Sequence, residues 1–253
     1  NLQKKISSSL SMGNKNFNYM LGASACAQAI KIQHALELLE TQTLQSFNAY
    51  LNKLLSEASK KKSKGVVKLV AKPEFNFIYS QSNELLAKNI EHPKIEKLIE
   101  IVKKEKLNNS NIKIIVFTQF RDTAAIIAKN LNQIPEIKSK IFVGQAKKGS
   151  GKEATGLSQK EQKQIIIEFS EGKMNVLVAT SIAEEGLDIP EVNTVIFYEP
   201  IPSAIRSIQR TGRTARLMKG KLIMLITKKT RDESFYYASR AREKKMHSSI
   251  SQI

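Results

Sequence analysis

The sequence predicts an α/β fold, with a parallel sheet that has helices on both faces and a mostly helical domain before it. From residue 92 onward, short apolar runs alternate with segments of helical periodicity. These runs are continuously apolar, which is typical of parallel strands buried on both faces. Before residue 92, apolar residues recur at helical spacing and no strand pattern interrupts them. We therefore expect a helical domain over residues 1–91 and an α/β domain over residues 92–253.

The helical domain is predicted to contain one long amphipathic helix over residues 24–55. Its apolar residues recur at the spacing of one helix face, and they are Ala29, Ile32, Leu36, Leu39, Leu44, Phe47, Leu51 and Leu54. A lysine run follows at Lys60, Lys61, Lys62 and Lys64. Such a run is either a solvated loop or a contact to a phosphate backbone, and the sequence leaves both interpretations open.

The α/β domain begins at His92-Pro93, because a residue before proline is disfavoured in a helix. Apolar runs predict strands at residues 113–117, 140–143, 176–179, 194–198 and 221–226. Helices are predicted at residues 95–102, 123–132, 158–169 and 232–247. Asp122 and Asp232 are candidate N-caps for the second and the last of these helices. Ser158 and Glu161 form a capping box at the start of the third, and Gly172 stops it.

Polar loops follow the first four predicted strands. They are Thr118-Gln119-Phe120-Arg121, Gly144-Gln145, Thr180-Ser181 and the arginine-rich segment after residue 198. Because the carboxyl ends of parallel strands meet at one edge of a sheet, these loops should share one rim. A ligand site is therefore predicted at that rim.

The arginine-rich segment carries Arg206, Arg210, Arg213 and Arg216. The first two are one helical turn apart, and Gly212 supplies a helix stop before the last two. The planar guanidinium fork fits phosphate oxygens and stays charged at any working pH. A solvated basic helix is the alternative interpretation. The polar loop at residues 180–190 makes this alternative less favourable, because both segments follow predicted strands and should lie on the same rim.

Both segments resemble sequence motifs of the superfamily 2 helicases. The sixth motif, Q-R-x-G-R-x-x-R, is matched by Gln209, Arg210, Gly212, Arg213 and Arg216. The fifth is matched by Ala179-Thr180-Ser181 with residues 185–190, and the loop at residues 118–121 resembles the fourth. The segment F-Y-E-P-I-P-S-A-I-R-S-I-Q-R is similar to the Hef-like family, which includes archaeal Hef and the Fanconi anaemia M translocase.

The resemblance implies a RecA-like motor domain that uses ATP and Mg²⁺. It implies catalytic roles for Arg213 and Arg216 at the γ-phosphate and for Gln209 at the attacking water. It also implies nucleotide-binding roles for three more residues. Gly186 would allow the backbone to approach the nucleotide closely, Asp188 would bind the ribose, and Arg210 would stabilise the site by pairing with acidic groups.

The resemblance also implies a nucleic-acid track. Its residues would be Thr118, Gln119, Arg121, Gly144, Thr180 and Ser181, which would contact phosphates without determining sequence preference. The helical domain is similar to the thumb-like insertion of the Hef-like family, so the lysines at 60, 61, 62 and 64 are further candidates. The implied partner is DNA, with forked or branched DNA as the preferred form, in a repair role.

The sequence lacks a match to the phosphate loop and to the D-E-x-x box of a helicase. Gly151-Lys152 is followed by Glu153 in place of Ser or Thr, and Asp232-Glu233 follows a basic segment in place of an apolar strand. We therefore expect a second motor domain whose ATP and Mg²⁺ are bound mainly by a first RecA-like domain of the same protein. No metal site is expected in this segment, and alone it should not hydrolyse ATP.

Composition excludes several other classes of protein. The formal net charge of +18 favours a polyanionic partner, and one cysteine with three histidines cannot build a disulfide or metal framework. No apolar run approaches the ~20 residues of a membrane span, so an intracellular protein is expected, cytoplasmic if archaeal and nuclear if eukaryotic. Two alternatives stay open: an RNA-directed motor of the Dicer or innate-immunity type, and a nucleic-acid-binding module without motor activity.

Overall fold

The computed structural model describes residues 2–12, 16–61, 63–145, 156–180, 190–200 and 220–250. The chain divides into two compact units, residues 1–91 and 92–253. No helix in the described ranges is both long and apolar enough to cross a membrane.

The first unit is built of helices. They are α1 (Leu2–Ser11), α2 (Phe17–Thr41), α3 (Leu44–Ser59), α4 (Lys64–Val70) and α5 (Pro73–Ala87). More buried residues belong to α3 than to any other helix of this unit, and they extend along its whole length, while α2 buries only Leu38 and Thr41. The helix α3 is therefore the central helix of this unit.

The prediction of one helix over residues 24–55 is wrong, because the chain breaks between α2 and α3. The Thr43 hydroxyl accepts a hydrogen bond from the Ser46 amide at 3.0 Å and so caps α3. The Glu91 carboxylate accepts from the amides of Leu44 and Gln45 at the same helix end. These groups satisfy the N–H donors that a new helix start exposes. Apolar spacing continues through the break, yet Ile32, Leu36 and Leu39 of the predicted apolar face are exposed.

The second unit alternates helices and strands. It contains α6 (Pro93–Asn108), β1 (Ile114–Phe117), α7 (Arg121–Leu131), β2 (Ser139–Phe142), α8 (Gln159–Ser170), β3 (Val176–Ala179), β4 (Thr194–Phe197), β5 (Lys221–Met224) and α9 (Arg231–Ile250). All strand pairs are parallel, and the strand order is β2-β3-β1-β4-β5. The central strands β1, β3 and β4 are fully buried.

Two apolar cores cover the two faces of this sheet. On one face, α6 and α7 pack against alternate strand residues such as Ile114, Val116 and Val178. On the other face, α8 packs against the intervening residues such as Ile115 and Phe117. Successive side chains of a strand point to opposite faces, so continuously apolar strands supply both cores. The predicted fold class, a parallel sheet with helices on both faces after a helical region, is confirmed.

Two predicted helix caps are wrong. The helix α7 begins at Arg121 with Phe120 at its N-cap, so Asp122 lies in the first turn. There its charge still lies at the positive end of the helix dipole. Asp232 lies in the first turn of α9, and its amide donates to the Thr230 hydroxyl at 3.2 Å.

The predicted boundaries of α8 are confirmed. The capping box of Ser158 and Glu161 opens α8, with both reciprocal hydrogen bonds present. Gly172 follows the helix with φ of +74°, a conformation that an L-residue adopts only with strain. His92 is extended before Pro93, and its ring nitrogen accepts from the Lys94 amide.

Candidate functional site

The carboxyl edge of the sheet gathers three of the four loops that the sequence predicts as a ligand site, and the arginine-rich segment lies outside the described residues. The Thr118 amide donates to the Ala179 carbonyl at 3.0 Å, and the Thr180 amide donates to the Phe142 carbonyl at 3.0 Å. The residue after β1 is thus hydrogen-bonded to the last residue of β3, and the residue after β3 is hydrogen-bonded to the last residue of β2. Thr118, Thr180 and the loop that begins at Gly144 therefore lie along one rim.

The turn after β1 is held by a buried carboxylate that the sequence did not identify as functional. Glu199 follows β4 and is 3% exposed. One of its oxygens accepts from the Thr118 hydroxyl at 3.3 Å, and the other accepts from the Gln119 amide. The only local signal for Glu199 was an acidic residue directly after an apolar run.

A buried ion pair lies beside this carboxylate. Lys94, in the first turn of α6, is 5% exposed and pairs with Asp232 of α9, which is 1% exposed. The Lys94 ammonium lies 5.2 Å from the centroid of the Tyr198 ring. Burial lowers the pKa of Lys94, while the negative charges of Asp232 and Glu199 oppose that shift. Asp232 also accepts from the Thr227 amide at 2.9 Å, so the pair joins α6, α9 and the segment after β5.

Arg121 links the first two loops of the rim. Its guanidinium donates to the Gly144 carbonyl at 3.1 Å. That carbonyl also accepts from the Leu157 amide at 3.3 Å, and the Gln162 side chain donates to the neighbouring Val143 carbonyl at 3.0 Å. Arg121 and α8 together therefore fix the position of the loop after β2.

The predicted track residues differ in their access to solvent. Gln119 is exposed, and Gly144 and Arg121 are partly exposed. The side chains of Thr118 and Thr180 are buried, and the Thr118 hydroxyl donates to Glu199. Gln119, Arg121 and Gly144 thus form the accessible part of the rim, and Thr118 lies beneath it.

Lys60 and Lys61 of the lysine run lie in the turn after α3, and Lys64 is the first residue of α4. Lys60, Lys61 and Lys64 are exposed, and Lys61 has φ of 50°. Lys62 lies outside the described residues. The exposed ammonium groups are available to a polyanion, and their DNA contact stays a prediction.

Several predicted site residues lie outside the part of the chain that the structure describes. They are Ser181, Gly186, Asp188, Gln209, Arg210, Arg213 and Arg216. Their roles stay predictions. Within the described ranges, no group of three or more His, Cys, Asp and Glu side chains is placed to hold a metal ion.

Two family models match the chain. The model described as "Helicase conserved C-terminal domain" matches residues 93–218. The model described as "Putative ATP-dependent RNA helicase, helical bundle" matches residues 1–87. The first match falls within the α/β unit and the second within the helical unit.

Individual relatives and a solved structure agree with these models. The chain is 40% identical over 242 residues to "Putative ATP-dependent RNA helicase MJ1505" of Methanocaldococcus jannaschii, covering 94% of this chain and 29% of that protein. It is 42% identical over 147 residues to "ATP-dependent DNA helicase mph1" of Neurospora crassa, covering 57% of this chain and 12% of that protein.

Among solved structures, the helicase domain of Pyrococcus furiosus Hef is 43% identical with a TM-score of 0.73, covering 94% of this chain and 47% of that one. The chain thus spans less than a third of both curated relatives and less than half of the Hef structure. The rim geometry, the RecA-like fold and these relatives lead to one conclusion. The chain belongs to the superfamily 2 helicases of the Hef and Mph1 type.

Proposed function

We propose that this chain is the second RecA-like motor domain, with a helical thumb-like insertion, of an ATP-dependent DNA helicase or translocase. Its substrate is forked or branched DNA, and its role is in DNA repair. The observation that carries this proposal is the likeness to the Hef helicase domain over 94% of the chain, at 43% identity. The likeness extends through both units, so it supports an insertion as well as a motor domain.

In this proposal, the rim contributes half of an ATP site. A first RecA-like domain of the same protein holds the nucleotide phosphates and Mg²⁺, and the cleft closes against the segment after β4. Arg213 and Arg216 stabilise the charge that develops during phosphoryl transfer, and Gln209 orients the attacking water. Asp188 contacts the ribose, Gly186 lets the backbone approach the nucleotide, and Arg210 braces the site.

The nucleic-acid track runs along the accessible part of the rim. Gln119, Arg121 and Gly144 are exposed or partly exposed there, whereas the Thr180 side chain is buried. Ser181 is assigned to the track from its motif alone. Thr118 supports the first loop from below through its bond to Glu199. Contacts of this kind bind phosphates, so the motor moves along DNA of any sequence. The lysines at 60, 61, 62 and 64 add sequence-independent affinity.

An RNA-directed motor is the second candidate. The M. jannaschii relative, at 40% identity over nearly the whole chain, is named an RNA helicase, whereas the N. crassa relative is named a DNA helicase. Contacts to phosphates alone do not separate the two polymers, because the 2′-hydroxyl is what distinguishes RNA at a given site.

ATP turnover by the intact protein tests the proposed function. It should be measured at one fixed salt concentration with forked DNA, linear duplex DNA and duplex RNA of matched length, because phosphate contacts are salt-dependent. We expect forked DNA to give half-maximal stimulation at the lowest concentration. Preferential stimulation by duplex RNA would support the second candidate. Nucleic-acid binding without any ATP turnover would instead indicate a module without motor activity.

A further inference from the structure

We propose that Glu199 is a positioning residue for the nucleic-acid track: its buried carboxylate fixes the turn that presents Gln119 at the rim. This inference rests on the proposed function, because it assigns Glu199 to the track that the proposed motor uses. Glu199 itself is buried, so it acts through the turn after β1 and does not contact nucleic acid.

Glu199 holds the turn by accepting hydrogen bonds from two adjacent residues. The Thr118 hydroxyl donates to one carboxylate oxygen at 3.3 Å, and the Gln119 amide donates to the other. Both donors lie at the end of β1, which is the central strand of the sheet. Without an acceptor, a buried hydroxyl and a backbone amide would be left unsatisfied, and the turn would move to find new partners. The direction of the Gln119 side chain depends on this turn.

The surroundings of Glu199 keep its carboxylate in place. The Lys94 ammonium interacts electrostatically with Glu199 while it pairs with Asp232, and it lies 5.2 Å from the ring of Tyr198, the residue before Glu199. The start of α6, the start of α9 and the end of β4 are therefore joined at the base of the rim. A carboxylate held from several elements makes a rigid support for a loop.

The same unit contains a matched carboxylate at the opposite edge of the sheet. Like Glu199, Glu105 is buried and lies beside a lysine. Its carboxylate accepts a hydrogen bond from the Thr194 hydroxyl at 3.0 Å and forms an ion pair with Lys221. Thr194 and Lys221 are the first residues of β4 and β5, so this cluster lies at the amino ends of the strands. Removing the Glu105 carboxylate should affect stability similarly without affecting the rim.

The experiment compares Glu199→Leu, Glu199→Gln and Glu105→Leu in the intact protein. Leucine removes both acceptors at similar volume, whereas glutamine keeps one oxygen for the Gln119 amide. The measurements are the concentration of forked DNA that half-maximally stimulates ATP turnover, the melting temperature, and hydrogen exchange of the segment containing residues 118–121.

We expect Glu199→Leu to raise the half-maximal DNA concentration roughly ten- to hundredfold, as small misplacements of binding groups do. Glu199→Gln should recover a large part of that loss, and Glu105→Leu should stay within about twofold of wild type despite a similar fall in melting temperature. Hydrogen exchange at residues 118–121 should accelerate only in the Glu199 variants. If Glu199→Leu does not fold, a smaller shift of the same kind in Glu199→Gln supports the proposal.

Equal DNA effects of Glu199→Leu and Glu105→Leu would overturn the proposal. If Glu199→Leu does not fold, unchanged exchange and DNA response in Glu199→Gln would overturn it. A wild-type protein whose ATP turnover does not respond to nucleic acid would refute the proposed function instead. Hydrogen exchange would then still decide whether Glu199 holds the turn: acceleration at residues 118–121 would support that role, and no change would overturn it.

Discussion

At the scale of single residues, the buried pair of Lys94 and Asp232 determines how the base of the rim is built. Taking two charges out of water costs free energy, which their attraction and further hydrogen bonds must offset. Asp232 accepts from Thr227 as well as pairing with Lys94, so its carboxylate has more than one donor. Burial nevertheless lowers the pKa of Lys94, which indicates that desolvation is the largest single influence on the ammonium group.

We predict that substitutions of Lys94 and Asp232 have strongly non-additive effects on the free energy of unfolding. Lys94→Met should destabilise the folded chain by about 3–5 kcal/mol, because it leaves the Asp232 charge buried without its partner. Adding Asp232→Asn should recover part of that loss, since the amide oxygen still accepts from Thr227 and only the Glu199 carboxylate is left without the Lys94 charge. Urea unfolding of the single and double variants measures both effects. Additive losses in the double variant would show that the two side chains are not energetically coupled.

Residue-scale predictions from the sequence were limited by distance along the chain. Thr118, Gln119 and Arg121 could be identified because they directly follow an apolar run, which locates a strand end. Glu199, Lys94 and Asp232 could not be grouped, because no periodicity links residues so far apart. Asp232 was predicted as a helix cap from local pattern alone, and the structure places its carboxylate in the buried pair.

At the scale of elements, the paired signal of a capping box was reliable, whereas the single cap candidates Asp122 and Asp232 were wrong and contacts between distant residues were not visible. The capping box of Ser158 and Glu161 lies within four consecutive residues, and the start of α8 was predicted from it. The break between α2 and α3 depends partly on Glu91, which accepts from the Leu44 amide across 47 positions of sequence. The apolar periodicity is continuous through the break, so periodicity alone favoured a single helix.

The turn between α3 and α4 predicts a salt-dependent contribution to DNA binding. Replacing Lys60, Lys61, Lys62 and Lys64 with alanine should weaken DNA binding at low salt. It should also flatten the slope of log affinity against log salt by several units, because each neutralised phosphate releases counterions. Binding of duplex DNA to the intact protein at a series of salt concentrations measures the slope.

A matched control removes four exposed lysines from the helices of the α/β unit: Lys103, Lys104, Lys129 and Lys163. This variant lowers the net charge by the same amount and leaves the turn intact. If the turn itself contacts DNA, the control variant should change the slope much less than the variant of the turn. Equal slopes in the two quadruple variants would mean that the lysine turn is a solvated loop and that net charge alone accounts for the effect.

At the scale of the whole molecule, the sequence was sufficient to predict the sheet and the edge where the site lies. Five continuous apolar runs predicted five parallel strands, and the carboxyl ends of β1, β2 and β3 carry the predicted loops together. The sequence could not predict which rim residues reach solvent. Thr118 and Thr180 were predicted to contact phosphates on the same grounds as Gln119, yet their side chains are buried and that of Gln119 is exposed.

In the proposed two-domain motor, this chain supplies the arginines that act on ATP hydrolysis. Arg213→Lys and Arg216→Lys, each in the intact protein, test this role, because lysine keeps the charge but not the planar fork. The control is Arg240→Lys on α9, an exposed arginine whose replacement should change stability by less than ~0.5 kcal/mol.

The decisive measurement is DNA-stimulated ATP turnover, recorded with the melting temperature and the DNA affinity of each variant. If Arg213 and Arg216 stabilise the transition state, turnover should fall by roughly 10³–10⁵ while melting temperature and DNA affinity stay close to wild type. Turnover within a few-fold of wild type in both variants, as in Arg240→Lys, would contradict the account.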